Sequence, residues 1–445
     1  MGRFFGTDGI RGRAGEAPLD PATVQTIGRA IVRALGVPGP RVLIGRDTRE
    51  SGPSIEQHLA AGLAAEGAHP ESAGVIPTPA IAHLARQRSG PGRQGYHLGV
   101  VISASHNPAE DNGIKLISPQ GFKIPDAAEE SIEKLLRGKP VAAKVKKPKA
   151  AVDLSGKTSD YVDFLAGFSR PLKGIRIIVD CGHGAASAYA GELFKRLGAK
   201  VVVLNASPDG KNINAGCGAL HPEAVAAAVK IEKADIGVAF DGDADRLIMV
   251  DETGAVRDGE TVLALCGLHF KEKKTLPANT VVSTVMANFG LERYLAGNGI
   301  ALRRTKVGDR YVAEDMIKSG AVLGGEPSGH VLFFDAAPAG DGMLTALRVL
   351  NVLAERGQKL SHAAFAKFPQ VLLNVRVGRK PPIEEVPALR HAIAAAEKEM
   401  GNDGRILVRY SGTETVCRVM VEGPKDDLVK RLANQVADVV KKELA

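Results

Sequence analysis

Tryptophan is absent from this 445-residue sequence, and aromatic residues make up only 4% of it. Proteins that bind single-stranded nucleic acid commonly stack bases on aromatic side chains, so this shortage argues against a nucleic-acid partner. The net charge of +8 does not change that conclusion. The densest basic stretch, residues 134–149, mixes lysines with prolines and alanines, which is typical of a solvated linker. We expect the remaining positive charge to suit an anionic small-molecule substrate.

Cysteines and long apolar runs are also scarce. The four cysteines stand far apart, without a C-x-x-C pair: Cys181, Cys217, Cys266 and Cys417. This spacing argues against a disulfide framework and against a zinc site. No run of about 18 apolar residues is present to span a bilayer, and the first residues lack the apolar segment of a signal peptide. We therefore predict a cytoplasmic protein with buried thiols and no membrane partner.

Short β-branched runs alternate with Ala- and Leu-rich amphipathic stretches over most of the sequence. This alternation predicts an α/β fold, in which strands are joined by crossover helices. The chain exceeds the roughly 250–300 residues of a single hydrophobic core, so several domains are expected. Three α/β domains are predicted at 1–154, 155–254 and 255–369. The order strand, helix, two strands and helix then predicts a small α+β domain at 370–445.

Individual elements follow from the same patterns. Strands are predicted at 41–44, 98–102, 174–180, 200–204, 235–240, 280–285, 302–306, 371–377, 405–410 and 415–422. Helices are predicted at 53–66, 185–197, 222–231, 288–296, 341–356 and 384–400, with others beginning near 310 and 425.

The segment VISASHNP at 101–108 follows a buried strand, and DNGIK at 111–115 comes soon after. Open α/β sheets bind ligands at the carboxyl ends of their strands. A turn at that point presents the hydroxyl of Ser105, with His106 and Lys115 close by, and this suits a nucleophile or a phosphate carrier. The alternative is an ordinary serine turn with an incidental histidine.

A second loop, FDGDADR at 240–246, carries three carboxylates at alternate positions: Asp241, Asp243 and Asp245. Oxygen ligands of this kind favour Mg²⁺. A calcium-binding EF-hand loop is excluded, because Arg246 stands where that loop needs glycine. An aspartyl-phosphate phosphatase with Asp241 as nucleophile fits this motif about as well. A solvated acidic turn is less favoured, since three close carboxylates repel one another without a cation.

The turn GGEPSGH at 324–330 lies between two short apolar strands. It offers the carboxylate of Glu326, the hydroxyl of Ser328 and the imidazole of His330, which suit the hydroxyl groups of a sugar. An ordinary Gly/Pro hairpin turn is the alternative.

A fourth segment, RYSGTET at 409–415, has the residues of a phosphate clamp. Its donors are the guanidinium of Arg409, the hydroxyls of Ser411 and Thr413, and the amide groups around Gly412, with Arg418 three residues further on. A plain loop is the alternative. Three lesser candidates for anion binding, or for structural ion pairs, are GTDGIRG at 6–12, GRDTR at 45–49 and TKVGDR at 305–310.

Together and in this order, these segments resemble the α-D-phosphohexomutase family, with a likeness from Phe5 to Gly423. The resemblance implies four domains around a central cleft: three related α/β domains and a C-terminal α+β domain. It implies a phosphoserine at Ser105 and one Mg²⁺ per chain, held by Asp241, Asp243, Asp245 and the phosphate on Ser105. It places sugar recognition on Glu326 and Ser328. The implied phosphate clamp consists of Arg409, Ser411, Gly412, Thr413 and Arg418. Thr7 and Arg11 are further candidates for substrate binding.

The family's reaction then predicts a role for each reactive side chain. Phospho-Ser105 donates its phosphoryl group to a sugar monophosphate, and the bound 1,6-bisphosphate reorients and returns a phosphoryl group from its other end. Lys115 and His330 are candidates for the proton transfers, a role that needs an amine or imidazole of lowered pKa. His106 and Arg246 are expected to orient the phosphoryl group. A sugar 1,6-bisphosphate is the expected activator, and a monomer or homodimer is the expected assembly.

The preferred sugar is predicted from finer resemblance. FGTDGIRG, ISASHNP, DNGIK and TVMANFGLE look most like the family members that act on glucosamine phosphates, on the route to UDP-N-acetylglucosamine and peptidoglycan. Glucose and mannose phosphates are the alternative substrates. Tyr410 and Thr415 stand where the family usually has proline, and Pro327 removes an amide donor near the sugar. A phosphatase and a catalytically silent sugar-phosphate sensor are the other hypotheses; the sensor should lack the serine, a carboxylate or the clamp.

Overall fold

The computed structural model describes residues 4–6, 8–86, 95–137, 151–153, 159–363, 365–411 and 415–445. The chain folds into two compact units. One consists of Met1–Val285 with Arg303–Ala364, and the other of Met286–Leu302 with Phe365–Ala445.

The first block forms a mixed sheet flanked by helices. Its strands are β1 (Phe5–Gly6), β2 (Gly9–Arg13), β3 (Arg41–Arg46), β4 (His69–Val75), β5 (Leu98–Ile102), β6 (Asp111–Ile117) and β7 (Val152–Asp153), in the order β1-β2-β6-β5-β3-β4-β7. Its helices are α1 (Pro21–Leu35), α2 (Gly52–Ala65), α3 (Thr78–Arg86) and α4 (Asp126–Leu136). Every residue of β5 is buried, as expected for a continuous apolar run in the middle of a sheet. Residues 103–108 therefore emerge at the carboxyl end of a central strand.

The second block forms another sheet, with strands β8 (Arg176–Asp180), β9 (Lys200–Leu204), β10 (Ile236–Phe240), β11 (Leu247–Asp251) and β12 (Val256–Arg257), in the order β12-β11-β10-β8-β9. Its helices are α5 (Ser159–Ala166), α6 (Ala190–Arg196) and α7 (Glu223–Glu232). The buried strand β10 pairs in parallel with β8 and antiparallel with β11. The carboxylate loop 241–245 joins β10 to β11.

The helix predicted over 185–197 is wrong in its first turn. The structure has a 3₁₀ turn at Ala185–Ala188, and α6 begins only at Ala190. The amide of Ala185 donates to the carbonyl oxygen of Gly242 at 2.8 Å. This contact ties the start of the segment to the carboxylate loop.

The third block contains strands β13 (Thr280–Thr284), β14 (Ala301–Thr305), β15 (Leu323–Gly325) and β16 (Val331–Phe333), in the order β14-β13-β15-β16. Its helices are α8 (Gly259–Glu272), α9 (Phe289–Gly297), α10 (Asp309–Ser319) and α11 (Gly342–Arg356), of which α9 belongs to the second unit. Strands β15 and β16 pair antiparallel, so the predicted turn between two short apolar strands is confirmed. Its predicted start at residue 324 is wrong, because Gly324 and Gly325 pair within the sheet as part of β15.

The last block lies in the second unit. Strands β17 (Gln370–Arg376), β18 (Arg405–Tyr410) and β19 (Val416–Glu422) form an antiparallel sheet in the order β17-β19-β18. Helices α12 (Pro387–Met400) and α13 (Asp426–Leu444) pack against it through a core that includes Leu389, Val419 and Val436. The predicted α+β order is confirmed, and with the three α/β blocks so is the predicted fold class.

Two further expectations concern burial and apolar length. The four cysteines are free thiols and all are buried; burial raises the pKa of Cys181 and of Cys266 to about 12. In the part of the chain that the structure describes, the helices are all too short or too polar to cross a membrane.

Candidate active site

Ser105 lies in the turn that follows β5 and is only 1% exposed. Its φ is 53°, a left-handed conformation that L-residues seldom adopt. Its hydroxyl donates a 2.6 Å hydrogen bond to Oδ2 of Asp241 and lies 3.3 Å from Nδ1 of His106. The structure therefore brings the predicted nucleophile against a predicted metal ligand that is 136 residues away in the sequence.

Three carboxylates converge in the loop after β10. One oxygen from each of Asp241, Asp243 and Asp245 lies within 4.8 Å of the others, and all three residues are buried. Oδ1 of Asp243 and Oδ1 of Asp245 have no hydrogen-bond partner among the described residues. A buried oxygen left without a partner costs about 1–3 kcal/mol, and carboxylate oxygens are the ligands that Mg²⁺ prefers. The donor set fits a hard divalent cation.

The three carboxyl groups differ in acidity. Burial, with the neighbouring charges of Asp245 and Asp243, raises the pKa of Asp241 well above its usual range. Burial and Asp243 likewise raise the pKa of Asp245. Burial also opposes ionisation of Asp243, yet the ammonium of Lys115 and the hydroxyl of Thr78 hold its pKa below the usual range. The loop is thus short of positive charge, which a bound cation would supply.

Lys115 is buried among acidic side chains. Its Nζ lies 2.8 Å from Oδ2 of Asp243, 3.1 Å from Oδ2 of Asp8 and 3.7 Å from Oδ2 of Asp245. Burial alone would lower the pKa of Lys115, but these carboxylates outweigh it and raise that pKa above its ordinary value. This direction is opposite to the lowered pKa that a proton-accepting lysine needs. Lys115 is a protonated hydrogen-bond donor.

Cationic groups flank the Ser105 turn. Burial, with the positive charges of Arg246 and Arg11, lowers the pKa of His106 to about 4, so its imidazole is neutral near pH 7. Nε of Arg246 lies 4.0 Å from Oδ2 of Asp241 and is buried without a hydrogen-bond partner among the described residues. Nη1 of Arg11 donates to Oδ1 of Asn107 at 3.4 Å. Arg246 and Arg11 therefore place positive charge near the imidazole of His106, which adjoins the Ser105 hydroxyl. Thr7, predicted to bind substrate, lies outside the described residues.

The predicted sugar loop adjoins the carboxylate loop through a β-bridge between Arg246 and His330. Nε2 of His330 lies 3.9 Å from Oδ2 of Asp245. Oε1 of Glu326 accepts the amide of Gly308 at 3.1 Å. The hydroxyl of Ser328 is buried without a hydrogen-bond partner in the residues that the structure describes. The loop therefore keeps polar atoms that a ligand can bind.

Several site residues were missed by sequence reasoning. Lys123 bridges Asp8 and Asp309, with Nζ 2.7 Å from Oδ2 of Asp309. Oδ2 of Asp309 lies 3.7 Å from Nε2 of His330, and Thr78 donates to Asp243 at 2.5 Å. Asp8 and Asp309 lie in two of the Gly-rich turns singled out as lesser candidates, which was the available signal. No feature of the sequence indicated Lys123 or Thr78 as site residues.

A cavity of about 400 Å³ adjoins this network. Asp245, Asp309 and His330 lie along its wall, with apolar side chains such as Phe122 and Leu332. Its volume is within the range of small-molecule sites. A ligand of modest size can therefore lie beside the carboxylate loop.

In the second unit, two predicted clamp residues face each other. Arg409 on β18 and Arg418 on β19 are directly opposed cross-strand partners. Like charges directly opposite each other on neighbouring strands repel, and burial with the charge of Arg418 lowers the pKa of Arg409. Ser411 is buried. Gly412 and Thr413 lie outside the described residues.

Family models match almost the whole chain. The descriptions are phosphoglucomutase/phosphomannomutase alpha/beta/alpha domain I at residues 2–140, domain II at 159–254, domain III at 258–371 and the C-terminal domain at 372–439. The chain belongs to the phosphoglucomutase/phosphomannomutase family, the α-D-phosphohexomutases. Its members are isomerase-type enzymes.

Individual relatives agree with this placement. The chain is 47% identical to a phosphoglucosamine mutase from Symbiobacterium thermophilum, over 100% of both chains, and 47% identical to one from Solibacter usitatus, over 99% of both. A phosphoglucomutase/phosphomannomutase family protein from Burkholderia thailandensis has a similar structure, with a TM-score of 0.83 at 28% identity, covering 99% of this chain and 97% of the other. N-acetylphosphoglucosamine mutase from Aspergillus fumigatus, solved with GlcNAc-6P and magnesium, shares the fold at 18% identity, with a TM-score of 0.67 and coverage of 99% and 96%.

Proposed function

We propose that this enzyme interconverts glucosamine 6-phosphate and glucosamine 1-phosphate through a phosphoserine at Ser105. The observation that carries the proposal is the 2.6 Å hydrogen bond from the Ser105 hydroxyl to Asp241, within a carboxylate cluster that fits a cation. Relatives that are 43–47% identical and named phosphoglucosamine mutase support the choice of sugar. The product would enter UDP-N-acetylglucosamine and peptidoglycan synthesis.

The phosphoryl group travels between Ser105 and the sugar. In the first transfer the bond between phosphorus and Oγ of Ser105 breaks, and a bond to the free hydroxyl oxygen of the sugar monophosphate forms. The second transfer reverses these changes at the other end of the bound 1,6-bisphosphate. Asp241, Asp243, Asp245 and an oxygen of the serine phosphate would hold one Mg²⁺, which when bound stabilises charge on the phosphoryl oxygens.

The surrounding side chains bind and orient the phosphoryl group. Arg246, Arg11 and the neutral imidazole of His106 direct hydrogen bonds toward the phosphoryl group on Ser105. Lys115, which is held protonated by its carboxylate neighbours, donates to the same group. This leaves His330 as the candidate that accepts the proton of the sugar hydroxyl.

Substrate recognition is divided between two sets of residues. Glu326 and Ser328 bind sugar hydroxyls in this proposal, and Pro327 contributes no amide donor to that loop. The phosphate that does not react is bound by Arg409, Ser411, Gly412, Thr413 and Arg418, and Thr7 is a further residue for substrate binding. The direct cross-strand pairing of Arg409 and Arg418 supports this assignment, because guanidinium groups on neighbouring strands can bind one phosphate together.

The alternatives are less well supported. A phosphatase needs Asp241 as a free, ionised nucleophile, whereas burial raises the pKa of Asp241 and its Oδ2 accepts the Ser105 hydroxyl. A silent sensor has no need of the serine, the carboxylates and the arginine pair that this chain retains. Glucose and mannose phosphates are disfavoured by the named relatives.

Several finer expectations are also part of the proposal. They are domain bounds at 1–154, 155–254, 255–369 and 370–445, a sugar 1,6-bisphosphate as activator, a monomer or homodimer, and a cytoplasmic location.

The test compares kcat/KM for glucosamine, glucose and mannose 6-phosphates, with the matching bisphosphate and Mg²⁺ present. We expect glucosamine 6-phosphate to lead by about tenfold or more, since hydrogen-bonded recognition of one polar group supports at least that ratio. Ser105→Ala should be inactive, and Ser131→Ala, on the exposed face of α4, serves as its control. A tenfold preference for mannose would overturn the sugar, and phosphate release that is indifferent to Ser105→Ala would favour the phosphatase.

A further inference from the structure

A buried guanidinium lies directly against the backbone of the Ser105 turn. The side chain of Arg49 has no exposed surface. Its Nη2 donates to the carbonyl oxygen of Ser105 at 3.1 Å and to that of Asn107 at 2.8 Å. Its Nη1 donates to the carbonyl oxygen of Asp111 at 2.9 Å and also to that of Pro108. A single side chain thus binds four carbonyl oxygens of the segment that carries the nucleophile.

Asp47 completes the arrangement from the end of β3. Its Oδ2 accepts from Nε of Arg49 at 2.9 Å and from the hydroxyl of Ser103 at 2.6 Å. The Ser103 hydroxyl oxygen accepts the amide of Ser105 at 2.9 Å. The Asp47–Arg49 pair therefore holds Ser105 at both backbone groups: at its carbonyl directly, and at its amide through Ser103.

These hydrogen bonds to the carbonyl and the amide of Ser105 stabilise a residue in an unfavourable backbone conformation. L-residues rarely adopt a φ of 53°, so they keep it only where surrounding contacts impose it. Asn214 adds a second donor to the Ser105 carbonyl, at 2.9 Å. With its backbone held in this way, the Ser105 side chain points at Asp241. If the four carbonyl oxygens lost their shared donor, the turn would relax and the hydroxyl would leave that position.

We propose that Arg49 and Asp47 are positioning residues for phosphoryl transfer, which hold Ser105 in its left-handed conformation and aim its hydroxyl at the carboxylate loop. This inference rests on the proposed role of Ser105 as phosphoryl carrier. Neither residue touches the reacting atoms. The sequence left the segment 45–49 open as an anion site or an ion pair. In the structure, the guanidinium of Arg49 binds protein groups instead of an anion.

The test measures phosphorylation of Ser105 by glucosamine 1,6-bisphosphate in a single turnover, for each molecule that is folded. Arg49→Lys keeps a cation beside Asp47 but cannot reach four carbonyl oxygens. We expect its phosphorylation rate and kcat to fall about 100-fold, the scale of a 1 Å displacement of a reacting group. KM for the monophosphate should stay within about threefold of the wild-type value, since the substitution does not alter the sugar loop or the Arg409–Arg418 pair.

Arg41→Lys is the matched control, because Arg41 begins the same strand and pairs with Glu71 at 2.8 Å, away from the Ser105 turn. It should lower the unfolding temperature but leave the rate per folded molecule unchanged. Ser103→Ala is a milder variant that removes the acceptor of the Ser105 amide and one donor to Asp47, but leaves the contacts of Arg49 in place. We expect it to slow phosphorylation about tenfold, which keeps the proposal testable if Arg49→Lys does not fold.

Wild-type rates per folded molecule in Ser103→Ala, or in a folded Arg49→Lys, would overturn the positioning role and leave the proposed function intact. Absence of phosphate on Ser105 in the wild type and in Arg41→Lys would instead overturn the proposed function, and the positioning role with it.

Discussion

The hydroxyl of Ser105 donates a 2.6 Å hydrogen bond to Oδ2 of Asp241. Each residue follows the carboxyl end of a fully buried strand, β5 for the serine and β10 for the aspartate. Ligands of open α/β sheets bind at such strand ends. This contact therefore joins the carboxyl ends of strands from two separate sheets and places the proposed nucleophile beside the proposed cation site.

Replacing Asp241 by Asn should stabilise the metal-free protein against unfolding. It should also reduce the further stabilisation that Mg²⁺ provides. Asn keeps an acceptor for the Ser105 hydroxyl but removes one of three repelling carboxylates, so we expect a gain of about 1–2 kcal/mol in chelator. Thermal unfolding in chelator and in saturating Mg²⁺ measures both effects. Asp315→Asn, which alters a surface pair with Arg303, should change neither. A less stable variant that retains the wild-type response to Mg²⁺ would be inconsistent with the site.

Gly340→Ala should displace His330. A Cβ at residue 340 would lie 2.3 Å from Nε2 of His330, which is closer than real contacts allow, so the ring must move. We expect kcat to fall about tenfold or more, because the proton acceptor loses its position. The control is Gly297→Ala in α9, where the new Cβ meets open space and should stabilise by about 0.5–1 kcal/mol. Unchanged kcat in folded Gly340→Ala would argue against a role for His330.

Asp341 should make stability depend on pH. It caps α11 and accepts the hydroxyl of Tyr161 at 2.8 Å, and burial raises the pKa of Asp341 from 3.8 to about 6. Because the folded state binds this proton more tightly, the carboxyl group's contribution to stability is present at low pH and is lost as pH rises through about 6.

The corresponding variant, Asp341→Asn, cannot ionise. Its free energy of unfolding relative to wild type should therefore rise between about pH 4 and pH 7, by up to about 3 kcal/mol. Urea unfolding of both proteins across that range measures the difference. A difference that stays constant with pH would show that Asp341 titrates as in the unfolded chain.

Arg409→Gln should weaken substrate binding more than catalysis. Loss of a charge-assisted contact to phosphate is expected to raise KM about 10- to 100-fold, with a smaller effect on kcat. Steady-state kinetics with glucosamine 6-phosphate separates the two constants. Arg376→Gln, at an exposed position on β17, is the matched control and should leave KM unchanged. If both variants have the same KM, the paired arginines do not bind the substrate phosphate.

The strands that are easiest to predict from the sequence are those with continuous apolar runs. β5 and β10 have this pattern, and their burial on both faces leaves little ambiguity. β2 and β4 were not predicted, because GIRGR and HPESAGV mix glycine, proline and charge. They are strands because β6 and β3 pair with them. Such pairing depends on tertiary contacts that local periodicity does not contain.

The residues of the candidate site likewise divide into those that a local segment predicts and those that depend on tertiary contacts. Ser105 and the three aspartates were predicted because each group stands in a short segment with chemistry of its own. Thr78 and Lys123 are single side chains that acquire a role only when distant segments meet. The raised pKa of Lys115 has the same origin, since it depends on Asp243 and Asp8, which are remote in sequence.

The most direct test of the central claim is the mass of the Ser105 peptide after incubation of the purified protein with glucosamine 1,6-bisphosphate and Mg²⁺. The account predicts a peptide heavier by one phosphate, whose phosphate is lost to glucosamine monophosphate when that substrate is added. An unmodified Ser105 in a protein that still converts glucosamine 6-phosphate to glucosamine 1-phosphate would contradict it.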